Sequence, residues 1–310
     1  MLPVFVIAGP TASGKTGFSI RLSEKFDERG ICCEIINADS IQLYNELKIL
    51  TAFPSSDEMS RVPHYLFGIL EPFETYSAGK WRQVAEAKID ELHAQGKIPI
   101  LCGGTGFYLN AIIRGISDIP NVPEYHRKEV FEKFQNIGRE KFFEELLKLD
   151  PNNKLNPNNT QRILRAYEVA TFTGKPLSYW WNQGNQNKKN NSKYENVKTL
   201  VLLPPRDKLK ENILARTIQM LNHGAIEEVR EFLSRYPNYQ GPLDRVIGFT
   251  EIRDFLEKKI SKEQLIESMF IKTRQYAKRQ STWFRNQMPD AKFVEAISSD
   301  IIDKFTEAAF

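Results

Sequence analysis

The chain is poor in cysteine, in histidine and in long apolar runs. Its 310 residues include three cysteines, Cys32, Cys33 and Cys102, and their number and spacing exclude a disulfide framework or a cysteine-based zinc site. Four histidines lack metal-ligand spacing, and we interpret them as surface or packing residues: His64, His93, His126 and His223. No stretch approaches the roughly 18 apolar residues of a membrane-spanning helix. We therefore expect a cytoplasmic protein with reduced cysteines and no membrane partner.

Charge is nearly balanced over the whole chain but not along it. With 43 Lys and Arg against 39 Asp and Glu, the net charge is +4, which permits a polyanionic partner without requiring one. No acidic residue occurs between Glu267 and Asp290, an interval that contains Lys272, Arg274, Lys278, Arg279 and Arg285. Three aromatic residues are interleaved with these cations: Tyr276, Trp283 and Phe284. A solvated basic helix face and a surface for a phosphate backbone both fit this pattern.

A phosphate-binding loop follows the first apolar run. Val4–Ile7 predicts a buried strand, and the next segment is Gly9-Pro10-Thr11-Ala12-Ser13-Gly14-Lys15-Thr16, the G-x-x-x-x-G-K-[ST] pattern of the P-loop. Its glycines allow a tight turn whose N–H groups point at one anion, and a helix from Phe18 to Arg29 is expected to add its dipole. The pattern assigns Lys15 to the outermost phosphates and the Thr16 hydroxyl to Mg²⁺.

Short apolar runs alternate with helical patterns, which predicts an α/β fold: a P-loop NTPase-like parallel sheet with helices on both faces. Further strands are predicted at Glu34–Ala38, Ile98–Cys102 and Lys198–Leu203, with a last edge strand at Ala291–Val294. Helices are predicted at Gly79–Ala94 and Glu211–Arg235. Residues 1–119 and 196–310 are predicted to form this core, and residues 120–195 a helical insertion domain. The Asn-rich stretch Asn182–Asn196 within it is expected to be an exposed loop.

Three polar segments follow predicted strands and are expected to meet in one crevice, because ligands bind beyond the carboxyl ends of parallel strands. They are the P-loop, Asp39-Ser40-Ile41-Gln42 and Gly103-Gly104-Thr105-Gly106. The Asp39 carboxylate suits either a Mg²⁺ ligand or a general base, and the residues leave both roles open. Ser40 and Gln42 suit the recognition of a base edge, although such residues are also common in caps and turns. The position of Thr105 opposite the P-loop makes it a candidate site residue.

The insertion contains a second basic element. Arg162 and Arg165 lie three apart and should share one helical face, while surface pairing with Glu168 is the alternative. Three apolar residues beside them can pack inward: Ile163, Leu164 and Ala166. Two basic elements on either side of a phosphate-binding core suggest a groove for a long anion.

Taken in order, these motifs resemble those of the tRNA dimethylallyltransferases, also called tRNA isopentenyltransferases. The similar segments are Gly9–Thr16, Asp39–Tyr44, Gly103–Tyr108, Gln161–Glu168, Gly248–Glu251, Thr273–Gln280 and Thr282–Arg285. They span nearly the whole chain, and five or six ordered motifs are far more specific than a P-loop alone. Because Phe310 is reached without the zinc-finger extension of some eukaryotic relatives, the resemblance is to the bacterial type.

The resemblance implies a prenyl transfer to RNA. In this family the P-loop, with Mg²⁺, holds the diphosphate of dimethylallyl diphosphate and not that of ATP. The five-carbon group moves to N6 of the adenosine immediately 3′ of the anticodon in tRNA. Asp39 would be the general base, with Lys15 and Thr105 also catalytic, and we expect a monomer. The implied contacts with the tRNA anticodon stem-loop are Asp39, Ser40, Ile41, Gln42, Thr105, Arg127, Gln161, Arg162, Ile163, Leu164, Arg165, Arg274, Lys278 and Arg279.

The chain departs from the family's pattern at two places that bear on diphosphate binding. Leu50-Thr51-Ala52-Phe53-Pro54 stands where the family commonly has Gly-Thr-Ala-Lys-Pro. Asn212 stands where an arginine is common, although Arg216, one turn later, matches. The P-loop and Asp39 are unaffected, so we expect an active enzyme.

Two other functions compete with prenyl transfer. A P-loop kinase would use ATP on a small hydroxylated metabolite, but it would have no need for the helical insertion or the late basic helix. A non-catalytic RNA-binding protein could retain the P-loop as a relic, but the intact Lys15, Thr16 and Asp39 argue against that.

Overall fold

The computed structural model describes residues 2–117, 119–186 and 192–307. The chain divides into two compact units, one formed by Met1–Ile113 with Tyr194–Phe310 and the other by Arg114–Lys193. These boundaries lie within a few residues of those expected for a core and an insertion. Within the described residues, no helix is long and apolar enough to cross a membrane.

The first unit contains a sheet and its covering helices, and the second contains helices α5 to α7. The strands are β1 (Val4–Ala8), β2 (Cys33–Asn37), β3 (His64–Tyr65), β4 (Ile98–Gly103), β5 (Val197–Leu202) and β6 (Lys292–Val294). The helices are α1 (Lys15–Asp27), α2 (Ser56–Arg61), α3 (Ala78–Ala94), α4 (Gly106–Ile113), α5 (Glu124–Leu149), α6 (Thr160–Thr173), α7 (Leu177–Gln186), α8 (Arg206–Asn222), α9 (Ala225–Arg235), α10 (Phe249–Leu256), α11 (Lys262–Gln287) and α12 (Ser299–Glu307).

The six strands form one parallel sheet in the order β3-β2-β4-β1-β5-β6. Strands β1, β2 and β4 are buried along their whole length, as expected for a parallel sheet that is covered on both faces. Successive side chains point to opposite faces. Val6 therefore packs in the core cluster that includes Trp81 of α3, whereas Phe5 packs with Phe18 of α1 and Phe305 of α12. The predicted α/β fold is confirmed.

Three local predictions differ from the structure. The segment Glu211–Arg235 is not one helix, because α8 ends at Asn222 and Gly224, with a φ of +97°, caps the start of α9. Strand β3 was not predicted, since two residues are too few to produce a periodic pattern. The expected loop at Asn182–Asn196 is wrong at its start, where α7 continues to Gln186, and its residues 187–191 lie outside the described part of the chain.

The second unit packs its three helices around its own apolar core. The rings of Phe142 in α5 and Tyr167 in α6 lie 4.3 Å apart, and Ile163 is fully buried beside them. Helix α5 is interrupted at Gly138, whose φ of +76° is a left-handed conformation that glycine adopts at little cost. The predicted helical character of this segment is confirmed.

A buried tryptophan supports the strand end that carries Asp39. The Trp81 side chain is fully buried, stacks on Tyr108 at 4.6 Å, and donates from Nε1 to the Asn37 carbonyl at 3.0 Å. In Trp81→Phe that carbonyl loses its donor, and we expect the free energy of unfolding to fall by about 1–3 kcal/mol. Urea unfolding followed by far-UV circular dichroism measures this change. The matched control is Trp181→Phe, because Trp181 is 41% exposed. Equal unfolding midpoints for the two variants would contradict the role of Trp81.

Candidate active site

The three polar segments meet because β2, β4 and β1 are neighbours that point the same way. Their carboxyl ends lie at one edge of the sheet, beside a cavity of about 150 Å³. The polar and glycine residues that border it include Gly14, Lys15, Thr16, Asp39, Gln42 and Arg216. The P-loop and the Asp39–Gln42 segment border this cavity as predicted, whereas Gly103–Gly106 lies beside Asp39 without bordering it. The small volume suits the anionic head group of a ligand more than a whole nucleotide.

The P-loop presents the start of helix α1 to this cavity. Gly14 has a φ of +89°, and the helix begins directly after it at Lys15, three residues before the predicted start at Phe18. The first N–H groups of a helix have no intrahelical acceptor, and together with the helix dipole they favour an anion. Burial lowers the pKa of Lys15, nearby Asp39 opposes this shift, and Arg216 adds to it. A bound anion would therefore stabilise a lysine charge that burial and Arg216 destabilise.

Asp39 is held by a network centred on Asn37. The Asn37 Oδ1 atom accepts from the Asp39 amide at 2.8 Å, and its Nδ2 donates to the carbonyls of Asp39 and Leu66 at 3.0 and 2.9 Å. The Asp39 carboxylate accepts from the Ile41 amide at 3.2 Å through Oδ1. Asp39 is only partly buried and borders the cavity. This arrangement fixes the backbone of Asp39 and directs its carboxylate to the same space as Lys15.

Thr105 is bonded to the turn that follows Asp39. Its Oγ1 atom accepts from the Ser40 amide at 2.9 Å and lies 3.2 Å from Ser40 Oγ, to which it donates. The Thr105 amide donates to the Ala38 carbonyl at 3.1 Å. This close approach requires glycine at position 103, because a Cβ on Gly103 would collide with the Ala38 backbone. The catalytic role of Thr105 stays a prediction.

Gln42 supports the segment Leu50–Pro54, which departs from the family pattern that the chain otherwise resembles. Its Nε2 atom donates to the carbonyls of Ala52 and Thr51 at 2.6 and 3.1 Å. In that segment the Phe53 ring lies 5.4 Å from the Phe67 ring, and the Lys48 ammonium lies 5.3 Å from the Phe53 ring centre. Because its amide nitrogen already has two acceptors, Gln42 has only its Oε1 atom to offer to a base edge. That role for Gln42 stays a prediction.

Helix α8 brings two side chains to the P-loop. Asn212 Nδ2 donates to the Ala12 carbonyl at 3.1 Å, and Arg216 Nη1 donates to Thr11 Oγ1 at 3.4 Å. The asparagine that replaces the expected arginine therefore supports the loop backbone. The positive charge from this helix comes from Arg216, which borders the cavity.

Two side chains at the site were not identified from the sequence. His64 borders the cavity, its Nδ1 lies 2.6 Å from the Val62 carbonyl, and its buried Nε2 has no partner among the described residues. Burial lowers its pKa. Gln280 of α11, which is 7% exposed, accepts from the Thr11 amide at 2.9 Å. No local pattern indicates His64, which begins an edge strand, whereas Gln280 lies within a family motif that we interpreted only through its charges.

The residues present fit a Mg²⁺ ion that is shared with a substrate. Among the described residues, no group of three or more histidines, cysteines or acids could hold a metal alone. Mg²⁺ commonly keeps several waters and takes one or two protein oxygens together with substrate phosphates. Thr16 and Asp39 supply a hydroxyl and a carboxylate on the same cavity. The Thr16 assignment stays a prediction.

The predicted RNA-contacting residues of α11 lie on its exposed face. Arg274, Lys278 and Arg279 are all exposed, and their cations follow one another along the same helix. The Arg279 guanidinium lies 5.9 Å from the Tyr276 ring centre. A shallow groove beside them is bordered by Lys278, Arg279 and Trp283. This face offers both cations and an aromatic surface.

The predicted RNA-contacting residues of the second unit differ in exposure. Gln161 and Arg162 are exposed, whereas Ile163 is fully buried, so it can contribute only by fixing the helix. Leu164 is partly buried. Arg165 lies 3.5 Å from Glu168, so the ion pair considered as the alternative is present. Arg127 donates from Nη2 to Asn121 Oδ1 at 3.3 Å. Contacts of these residues with RNA stay a prediction.

The lowered pKa of Lys15 predicts how anion binding depends on pH. The ammonium form is lost at a lower pH than the 10.5 of an ordinary lysine, so affinity for inorganic diphosphate should fall as pH rises within the range below 10.5. Lys15→Arg keeps a cation that does not titrate in this range. Isothermal titration calorimetry measures the affinity of both proteins for diphosphate at each pH. The ratio of the two affinities isolates the lysine, because the ionisation of diphosphate affects both proteins equally. A ratio independent of pH would contradict the assignment of Lys15.

Comparison with known proteins identifies the family. The family model described as IPP transferase matches residues 42–287. The chain is 40% identical over 299 residues to the tRNA dimethylallyltransferase of Pelagibacter ubique, which covers 96% of this chain and 93% of that protein. It is 39% identical over 292 residues to the enzyme of the same name from Rhodospirillum centenum, covering 94% and 90% of the two chains.

Solved structures agree with this comparison. The tRNA isopentenylpyrophosphate transferase of Bacillus halodurans superposes with a TM-score of 0.69 at 30% identity, covering 99% of this chain and 95% of its own. A eukaryotic dimethylallyltransferase acting on tRNA superposes with a TM-score of 0.81 at 27% identity, covering 99% of this chain and 77% of its own. The family model covers most of the chain and the relatives match it over nearly its whole length, so the chain belongs to the IPP transferase family.

Proposed function

We propose that the protein transfers the dimethylallyl group of dimethylallyl diphosphate to N6 of the adenosine immediately 3′ of the anticodon in tRNA and releases diphosphate. The observation that carries this proposal is the shared cavity of Lys15, Arg216 and Asp39 in a chain of this family. Relatives named tRNA dimethylallyltransferase favour this reaction over a metabolite kinase that uses ATP.

The P-loop side of the cavity binds the leaving group. Ionisation of an allylic diphosphate develops negative charge on the diphosphate oxygens, which the loop N–H groups, Lys15 and Arg216 stabilise. The Thr16 hydroxyl is the protein ligand that we assign to Mg²⁺, which neutralises further diphosphate charge when it is bound. These groups hold the diphosphate through the reaction, so they favour cleavage of the carbon–oxygen bond.

The Asp39 side of the cavity receives the adenine. The N6 lone pair is delocalised into the ring, so the amine is a poor nucleophile until its proton is lost. The Asp39 carboxylate accepts that proton as N6 bonds to C1 of the dimethylallyl group and the C1–O bond breaks. Thr105, bonded to Ser40, keeps the turn after Asp39 in position, and we assign its catalytic role to this contact.

The basic face of α11 suits the phosphate backbone of the anticodon stem-loop. Arg274, Lys278 and Arg279 are exposed cations, and Trp283 provides an aromatic surface beside them. The target adenosine must leave its stack to reach Asp39, as in other enzymes that act on a base. In the second unit, Arg127 and the segment 161–165 are further RNA contacts under this proposal. We also propose that the enzyme is a cytoplasmic monomer.

A transfer assay tests the reaction. We expect protein, Mg²⁺ and labelled dimethylallyl diphosphate to place label in unmodified tRNA that has adenosine 3′ of the anticodon, and in no tRNA with guanosine there. Asp39→Asn, which keeps the size of the side chain, should lower turnover by about 10²–10⁴-fold. Binding of tRNA should persist, because the substitution removes the general base and leaves the protein surface that binds RNA unchanged.

The matched control is Asp57→Asn, which removes an exposed carboxylate from α2 and should leave turnover unchanged. Turnover by Asp39→Asn at the wild-type rate would overturn the role of Asp39. Absence of label in RNA, together with ATP-dependent phosphorylation of a metabolite, would overturn the proposed reaction.

Salt dependence tests the RNA surface. Each phosphate contact that is removed should reduce the slope of log affinity against log salt concentration by roughly 0.7–0.9. We therefore expect Lys278→Ala and Arg279→Ala to bind the anticodon stem-loop more weakly and with shallower slopes. Lys304→Ala, on α12, removes a side chain that is 61% exposed and should change neither quantity. Equal slopes for all four proteins, measured by fluorescence anisotropy, would count against this surface.

A further inference from the structure

Gln280 is a polar residue on the buried face of α11, which also carries Ala277 and Phe284. Lys278 and Arg279, which precede it directly in α11, are exposed, whereas Gln280 is 7% exposed. A glutamine amide has two donors and two acceptor positions, so burial is costly unless these groups find partners. Both the oxygen and the nitrogen of this amide have hydrogen-bond partners, and these partners lie in the P-loop and in the glycine-rich loop.

The amide of Gln280 joins the P-loop to the glycine-rich loop. Its Oε1 accepts from the Thr11 amide at 2.9 Å, and its Nε2 donates to the Gly104 carbonyl at 2.9 Å. A backbone N–H can only donate and a carbonyl can only accept, so the two partners determine which way the amide points. Neither an apolar residue nor a carboxylate would satisfy both partners.

The position of this amide is restricted by close packing around Gly104. A Cβ on Gly104 would lie 2.5 Å from Gln280 Nε2 and 3.3 Å from Asp39 Oδ2, so the amide and the carboxylate face the same point. Three residues further along α11, the Trp283 ring packs against Gly106 so closely that a Cβ there would collide with it. Helix α11 therefore contacts both ends of the glycine-rich loop.

The hydrogen bond between Thr11 and Gln280 also separates the P-loop into a part that is anchored and a part that can bind an anion. Because the Thr11 N–H donates to Gln280, it is not directed at the anion, whose donors must come from later in the loop. The first part of the loop is thus anchored to α11 through Gln280 and to α8 through Arg216, which donates to Thr11 Oγ1. The second part, from Gly14, is left to bind the diphosphate.

We propose that Gln280 is a positioning residue for the transfer: it fixes the separation between the loop that holds the leaving group and the loop beside Asp39. This inference rests on the proposed function. Helix α11 then has two roles, because it offers cations to RNA and also fixes the distance between the diphosphate site and Asp39. Displacements of about 1 Å at a reacting pair can cost on the order of 10²-fold in rate.

The test compares single turnovers of the wild type and Gln280→Met, which has a similar length and no hydrogen-bonding amide. With enzyme in excess over tRNA and dimethylallyl diphosphate saturating, the first-order rate constant does not depend on the folded fraction. We expect this rate constant to fall by about tenfold to 10²-fold, with little change in the dissociation constant for the anticodon stem-loop. The matched control is Ser281→Ala, because the Ser281 hydroxyl donates to Ala277 of its own helix at 2.8 Å.

A wild-type rate constant in Gln280→Met would overturn the positioning role. If that variant does not unfold cooperatively, Gln280→Asn replaces it, because an amide one methylene shorter cannot span both loops. A lowered rate constant is again expected, and a wild-type rate constant would again overturn the positioning role. The two proposals fail differently. Transfer by the wild type with undiminished transfer by the variants overturns only the role of Gln280, whereas no transfer by the wild type overturns the proposed function as well.

Discussion

The parallel pairing of β2, β4 and β1 is the constraint on which the site depends. Because these strands lie side by side and end at one edge, the P-loop, Asp39 and the glycine-rich loop are adjacent although they are far apart in the chain. A register slip of one residue would turn every side chain of a strand to the other face. A slip that put Cys102 in the place of Gly103 would bring its Cβ into collision with the Ala38 backbone.

Hydrogen bonds fix the backbone around the site, whereas the positive charge of Lys15 at its centre is destabilised. Trp81, Asn37 and Gln280 bond backbone groups around Asp39 and the P-loop, so these segments are held by buried and partly buried hydrogen bonds. At the centre, burial destabilises the charge of Lys15 beside a second cation, Arg216. An anion in this cavity would offset both effects, which is what the proposed binding of a diphosphate requires.

Much of the fold and part of the site could be predicted from the sequence. The P-loop and the strands β1, β2 and β4 follow from local patterns, and parallel topology then brings Asp39 to the P-loop. The break at Gly224 was missed because the helical periodicity continues on both sides of it. The role of Gln280 could not be predicted, since its bonds to Thr11 and Gly104 connect residues that are 269 and 176 positions apart. Glu251, within a family motif, proves to cap α10 by accepting from the Gly248 amide.

If this P-loop holds a leaving group, the bond that breaks is carbon–oxygen and not phosphorus–oxygen. Dimethylallyl diphosphate with ¹⁸O in the bridge between C1 and phosphorus tests it directly. After reaction with tRNA, mass spectrometry of the diphosphate and of the modified nucleoside locates the label. The account predicts that all of the ¹⁸O is in the released diphosphate and none is in the nucleoside. Label retained on the five-carbon group, or a phosphorylated product, would contradict it.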